Sequence, residues 1–274
     1  MVGVAFVDLY DAGIAALLGA VEGVTEFLPI SSTGHLILLD DLLGFQGPPG
    51  HVFEVVIQLG AILGVCWVYR ERLLQLATSP LMPRNRHLLQ LLLLGFLPAA
   101  VIGFLAHGFI KTVLFNPWVV SIALIVGGVA IIVIERLLTG DRFKDIDAVP
   151  SSVGLKVGFC QALAMVPGVS RSGATIMGAR VLGLSRGVAA EFSFLLAIPT
   201  MFAATGYDLY KNAAQIDGHG MTLVLIGFIC ALVTAVLTVR WLIGFVSSHT
   251  FSGFGWYRIA LGSLMIVLLS FGWG

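Results

Sequence analysis

Residues 22–35 read Glu22-Gly-Val-Thr-Glu26-Phe-Leu-Pro29-Ile-Ser31-Ser32-Thr33-Gly34-His35, and residues 167–175 read Pro167-Gly-Val-Ser170-Arg171-Ser172-Gly-Ala-Thr175. Each stretch interrupts an apolar region, about 10–45 in the first case and 152–184 in the second. Proline removes a backbone donor and clashes with the preceding turn, so each region reads as two short helices flanking a break. Irregular backbone of this kind survives at membrane depth only where protein or water satisfies its polar groups. Both regions are therefore expected to form re-entrant helical hairpins instead of simple spans.

Composition puts these breaks in a bilayer. Of 274 residues, 58% are hydrophobic and only 11% charged, against about a quarter charged in ordinary soluble domains. A soluble surface could not be covered with so few charges, and nucleic-acid binding and disorder are excluded with it. Six further segments approach the roughly 20 apolar residues needed to cross a bilayer: 52–70, 87–107, 116–138, 187–208, 220–240 and 256–273. The expected fold is all-α, a single polytopic membrane domain over 1–274 with six transmembrane helices plus two re-entrant hairpins. Cys66, Cys160 and Cys230 show no metal or disulfide spacing and read as small buried hydrophobes. The residues before the first apolar run include no Lys or Arg, so the first helix is not expected to be a cleaved signal peptide.

The basic residues orient this layout. Lys and Arg total 15, matched by 15 Asp and Glu, so position carries the information. With the first hairpin entering from outside, Arg70, Arg72, Arg84, Arg86, Arg136, Arg142, Lys144, Lys156, Arg180, Arg186, Arg240 and Arg258 fall on the cytoplasmic side. Only Lys111 and Lys211 fall outside, and Arg171 lies in the second break. The positive-inside rule then places both termini outside. A shift of 139 residues superposes Gly19 on Gly158, Glu22 on Gln161, Ser31 on Ser170 and Gly34 on Gly173, and a shift of 137 superposes Glu54 on Glu191. Each half, about 1–139 and 140–274, is one hairpin plus three spans. An odd number of crossings inverts the second half, the inverted-repeat arrangement in which broken helices meet near the midplane.

Ionisable groups inside a membrane are costly and mark function. Glu22 and Glu26, four apart, project from one helical face, where two like charges in low dielectric would raise a pKa or recruit a hard divalent cation such as Mg2+ or Ca2+. Ser31, Ser32 and Thr33 stand where the second short helix begins. There hydroxyls cap free N–H groups, and the same N–H groups with the helix dipole bind anions. His35 lies on the same face as Ser31 and Ser32 and is a candidate base, acid or phosphate donor. Ser170, Arg171, Ser172 and Thr175 are the mirror element, and the Arg171 guanidinium suits phosphate oxygens. Glu54 and Glu191, near span starts, read as structural. Pyrophosphate on a lipid, held with a divalent cation, satisfies the whole constellation.

With these motifs, together with Phe53-Glu-Val-Val-Ile-Gln-Leu-Gly60 and Glu191-Phe-Ser-Phe-Leu-Leu196, the chain resembles the undecaprenyl-diphosphate phosphatases of the bacitracin-resistance type along nearly its whole length. The resemblance implies a multi-pass enzyme of the bacterial inner membrane. It would convert undecaprenyl diphosphate to undecaprenyl phosphate and inorganic phosphate with a divalent cation, its site opening to the periplasm. That step recycles the lipid carrier of cell-wall precursors. Expected partners are the lipid substrate and membrane lipids, with no nucleic acid; a homodimer is compatible. The acid-phosphatase-like lipid phosphatases need a His after Ser-Arg and five more residues, where this chain has Met177. Expected catalytic residues are Glu26, Ser32, His35 and Arg171; Ser31, Thr33, Ser170, Ser172 and Thr175 would bind substrate, and Glu22 with Glu26 the cation. The nucleophile is Ser32 by preference, with His35 or a water as alternatives. A polyprenyl-phosphate transporter or flippase is the rival reading, since broken helices also build transport sites.

Overall fold

The computed structural model describes residues 8–45, 52–109, 114, 116–138, 140–212 and 218–272. The described residues form eleven α-helices: α1 (Leu9–Thr25), α2 (Ser32–Leu43), α3 (Val52–Val68), α4 (Arg70–Thr78), α5 (Pro83–Phe109), α6 (Pro117–Leu137), α7 (Ser151–Leu163), α8 (Arg171–Val181), α9 (Arg186–Asn212), α10 (Gly218–Phe245) and α11 (Ser252–Ser270). Helix starts follow local chemistry. Asp8 accepts from the Tyr10 amide at 3.2 Å before α1, and Asn116 caps α6 with Pro117 in its first turn, a position where proline lacks only a donor that would be unpaired anyway.

Five helices, α5, α6, α9, α10 and α11, are long and apolar enough to cross a membrane. The sixth expected span, 52–70, is α3 followed by α4 across a 77° bend. Polar Arg70, Glu71 and Arg72 open α4 and turn it away from the apolar run. The chain is thus a polytopic all-α membrane protein, and its two broken regions are the helix pairs α1–α2 and α7–α8.

The first helix of each pair lies against a long helix of the opposite half, α1 along α10 and α7 along α5. Small residues make both contacts. A Cβ on Gly19 would stand 2.1 Å from the Gly227 carbonyl oxygen, and one on Gly23 2.1 Å from Thr234 Oγ1. On α7, a Cβ on Gly154 would meet the Leu91 carbonyl oxygen at 2.6 Å, and one on Gly158 the Gly95 oxygen at 2.6 Å. Small residues four apart let backbones approach in lipid, where no hydrophobic force drives helices together. Helices α6 and α11 also pack on each other, through Gly128, Gly255 and Gly262.

At one end, buried Glu135 of α6 accepts from Arg186 Nε and Nη2 at 2.9 and 2.7 Å, while Arg180 Nη1 donates to Asp141 at 2.5 Å. Asp147 there takes Arg72 at 3.3 Å and also pairs with Arg84. Arg258, expected at the cytoplasmic end of the last span, is wholly buried (0% exposed). Helix α11 starts at Ser252, four residues before the expected 256, which sets Arg258 two turns inside the helix facing the breaks. Like Arg171, it is a guanidinium buried against the breaks.

Candidate active site

The two breaks share an uncommon backbone state. Among the described residues, only Ser31 (φ 71°) and Ser170 (φ 73°) are non-glycine residues with positive φ. Such conformations cost a side chain of order 1–3 kcal/mol and persist where the surroundings over-determine them. Each serine immediately precedes a helix, α2 or α8, and so aims that helix's first residues. Ser170 also caps its helix, accepting from the Gly173 amide at 3.1 Å. Ser31 caps nothing with its side chain, contrary to the simplest capping expectation, so no Ser31 hydroxyl competes for the amides that open α2.

The hairpins meet through side chains. Glu26 Oε2 accepts from Ser32 Oγ at 2.5 Å, and Glu26 Oε1 accepts from Arg171 Nη2 at 3.1 Å. One carboxylate thus joins the hydroxyl at the head of α2 to the guanidinium at the head of α8. Arg171 also donates to the Ser193 carbonyl at 3.2 Å and lies 5.5 Å from the centre of the buried Phe27 ring. Its Nε is buried without a partner among the described residues. A spare, desolvated donor is costly unless something accepts from it, and a phosphate oxygen is such an acceptor.

The expected binding residues divide by what they touch. Ser172 Oγ donates to the Leu28 carbonyl at 2.7 Å and lies 3.0 Å from Ser170 Oγ, so it ties the breaks together. Thr175 Oγ1 lies 2.6 Å from Ser193 Oγ, buttressing the residue whose carbonyl holds Arg171. Thr33, on the first turn of α2, is half-buried. His35 Nδ1 lies 2.8 Å from the Ser31 carbonyl oxygen; a carbonyl only accepts, so Nδ1 carries the proton. His35 Nε2 lies 2.6 Å from the Tyr257 hydroxyl, with the two rings stacked. Both line an apolar groove of about 740 Å³ between α1, α2, α10 and α11. With these bonds, the group in contact with the Ser32 hydroxyl is Glu26.

Glu22, one turn before Glu26, is 2% exposed. Its carboxylate has no hydrogen bond among the described residues, and it feels the charges of Glu26, Arg171 and Glu54. Two hard oxygen donors, one unengaged, suit a cation that fills its shell with phosphate oxygens and water, as Mg2+ does. Among the described residues no cluster of three or more acidic, His or Cys side chains forms a complete protein cage. Sequence reasoning missed Tyr257, Ser193 and Arg258, whose site contacts join positions far apart in the chain.

The family described as bacitracin resistance protein BacA matches residues 15–264. The chain belongs to that family. It is 56% identical over 255 residues to a Paramagnetospirillum magneticum protein named undecaprenyl-diphosphatase 2, covering 93% of this chain and 98% of that protein. It is 52% identical over 254 residues to the undecaprenyl-diphosphatase of Aromatoleum aromaticum, covering 92% and 93%. A Cereibacter sphaeroides undecaprenyl-diphosphatase is 50% identical over 258 residues, covering 93% and 96%. Both hairpins lie wholly or largely inside the BacA-matched region, with every expected site residue.

Proposed function

We propose that this BacA-family chain is an undecaprenyl-diphosphate phosphatase, hydrolysing the lipid diphosphate to undecaprenyl phosphate and inorganic phosphate. The observation that carries the reading is the Ser32–Glu26–Arg171 chain of contacts, 2.5 and 3.1 Å, between the heads of two broken helices. Full-length identity to relatives bearing the same enzyme name supports it. The halves are read as inverted repeats whose hairpins re-enter the inner membrane, with both termini and the site's mouth periplasmic.

Phosphoryl transfer asks for in-line positioning and charge neutralisation. In the proposed route Glu26 takes the Ser32 proton, and Ser32 Oγ attacks the distal phosphorus. The bond from that phosphorus to the bridging oxygen breaks, and undecaprenyl phosphate departs. Arg171, through its spare Nε, and the amides opening α2 hold the distal oxygens. Water then attacks the phosphoseryl phosphorus, losing a proton to the site, while Glu26 returns one to Ser32. His35, sharing a proton with Tyr257 beside the lipid-facing groove, is assigned the departing lipid phosphate. Glu22 and Glu26 would hold the divalent cation, which supplies neutralisation of diphosphate charge. The test is phosphate release from undecaprenyl diphosphate by purified, detergent-solubilised protein, with and without a chelator. Release without any membrane gradient is expected, and its absence would refute the reading.

A further inference from the structure

We infer that Arg258 is a positioning residue for the phosphatase site, clamping the two chain breaks together from behind so that Ser32 and Arg171 face one phosphate. The inference rests on the phosphatase reading above. Arg258 belongs to α11, outside both hairpins, yet its guanidinium donates into each break. Nη1 reaches the Pro29 carbonyl at 3.2 Å and the Val169 carbonyl at 2.9 Å, and Nη2 reaches the Gly168 carbonyl at 2.9 Å. The remaining donors go to α6, with Nη2 on Ala123 at 3.1 Å and Nε on Leu124 at 3.3 Å. All five N–H groups of the fork are thereby used, every one on a backbone carbonyl.

The carbonyls concerned lie within two residues of the strained serines. Pro29 precedes Ile30 and Ser31, and Gly168 and Val169 precede Ser170. Fixing them fixes the path by which Ser31 and Ser170 enter positive φ, and so the direction in which α2 and α8 present Ser32 and Arg171. A planar five-donor fork does this; a lysine ammonium, with three donors at one point, cannot span both breaks.

The neighbourhood is built to admit the group. A Cβ at Gly127 would lie 2.2 Å from Arg258 Nη2, and one at Gly128 3.1 Å from Arg258 Cβ. Paired glycines inside a membrane helix thus leave the volume that the guanidinium fills. Arg258 also has no carboxylate partner among the described residues. A buried cation without a carboxylate partner is expensive in a membrane protein, and its positive charge favours an anion held between the two breaks that it grips.

The experiment uses the full chain in detergent. Arg258→Ala is expected to remain monodisperse while kcat falls about 100-fold, the scale of a misplacement near 1 Å. Removing the side chain opens a guanidinium-sized space that joins a largely apolar cavity of about 490 Å³ bordered by Arg258. Millimolar guanidinium should therefore recover about tenfold of the lost rate in this variant, where methylammonium at equal concentration does not. Arg258→Lys, which keeps charge and stem, is expected to fold and stay slow, and it decides the matter if the alanine variant does not accumulate. Full turnover by either folded variant, no guanidinium rescue, or equal rescue by methylammonium overturns the inference. Collapse of both variants on size exclusion also overturns it, since Arg258 would then hold the whole fold. The unaltered chain, run alongside, tests the phosphatase reading by itself.

Discussion

Arg171→Lys separates chemistry from folding at the candidate site. The guanidinium makes a 3.1 Å pair with Glu26, donates to Ser193 at 3.2 Å and keeps Nε unspent. An ammonium can retain the Glu26 pair, so the buried carboxylate, 8% exposed, keeps a counter-charge and the protein should melt near its normal temperature. What the substitution removes is the donor left over for phosphate. Losing one aligned donor to charge that develops in the transition state costs about 2.7–4 kcal/mol, or about 10²–10³ in kcat. Arg171→Ala is a poorer probe, because stranding one member of a buried pair costs about 3–5 kcal/mol of stability and mixes the two effects. The assay is initial phosphate release at saturating undecaprenyl diphosphate, with thermal unfolding followed in the same micelles. Turnover by Arg171→Lys within about threefold of the unaltered protein would refute the phosphate role and leave Arg171 as a packing and pairing residue.

Ser32→Ala should abolish the phosphoryl-enzyme trapped by rapid acid quench of labelled substrate; label mapped to His35 in the unaltered protein would rule out the serine route. Stripping divalent cations with a chelator should lower turnover by about 10²-fold or more, with recovery on adding Mg2+ or Ca2+. Gly23→Ala should destabilise by about 1–3 kcal/mol, because its new Cβ would stand 2.1 Å from Thr234 Oγ1 and 2.3 Å from the Ala231 carbonyl oxygen. Gly13→Ala, with nothing within 4 Å among the described residues, should leave the melting temperature unchanged or raise it. In a chain freed of native cysteines, Thr78→Cys and Ser248→Cys, both exposed, should react with an impermeant maleimide only from the cytoplasmic face; labelling from the periplasm would invert the orientation.

Local sequence carried the features that depend on near neighbours. Pro29 and Pro167 announced the breaks because proline acts within one turn, and apolar runs announced the long helices because a span is defined by its own composition. Glu26, Ser32 and Arg171 stood out as polar groups with no business in lipid, and the structure joins all three. The burial of Arg258 against the breaks was missed for a related reason. A charge near a span's end reads as a loop charge, and only the true start of α11 and the breaks beyond it reveal an interior group. Tyr257 carried no signal, since a tyrosine in an apolar helix is ordinary there, and Ser193 stood only inside the Glu191–Leu196 stretch that carries the family resemblance, with no role assigned to it. Their meaning lies in contacts with His35, 222 positions away, and with Thr175, 18 positions away. The bend after α3 was hidden inside a run whose hydropathy alone was sufficient for a span.

The contact between Pro29 and Arg258 spans 229 positions of sequence, and that separation bears on biogenesis. The ribosome delivers the first hairpin long before it delivers α11, and domains of nascent chains fold from the amino end. During that interval the Pro29 carbonyl has no guanidinium to accept from, and unpaired backbone in hydrocarbon is unfavourable. On the positioning role proposed for Arg258, a competent pocket forms only once α11 is in place. A polypeptide released before codon 258 would contain both hairpins and still lack a working enzyme.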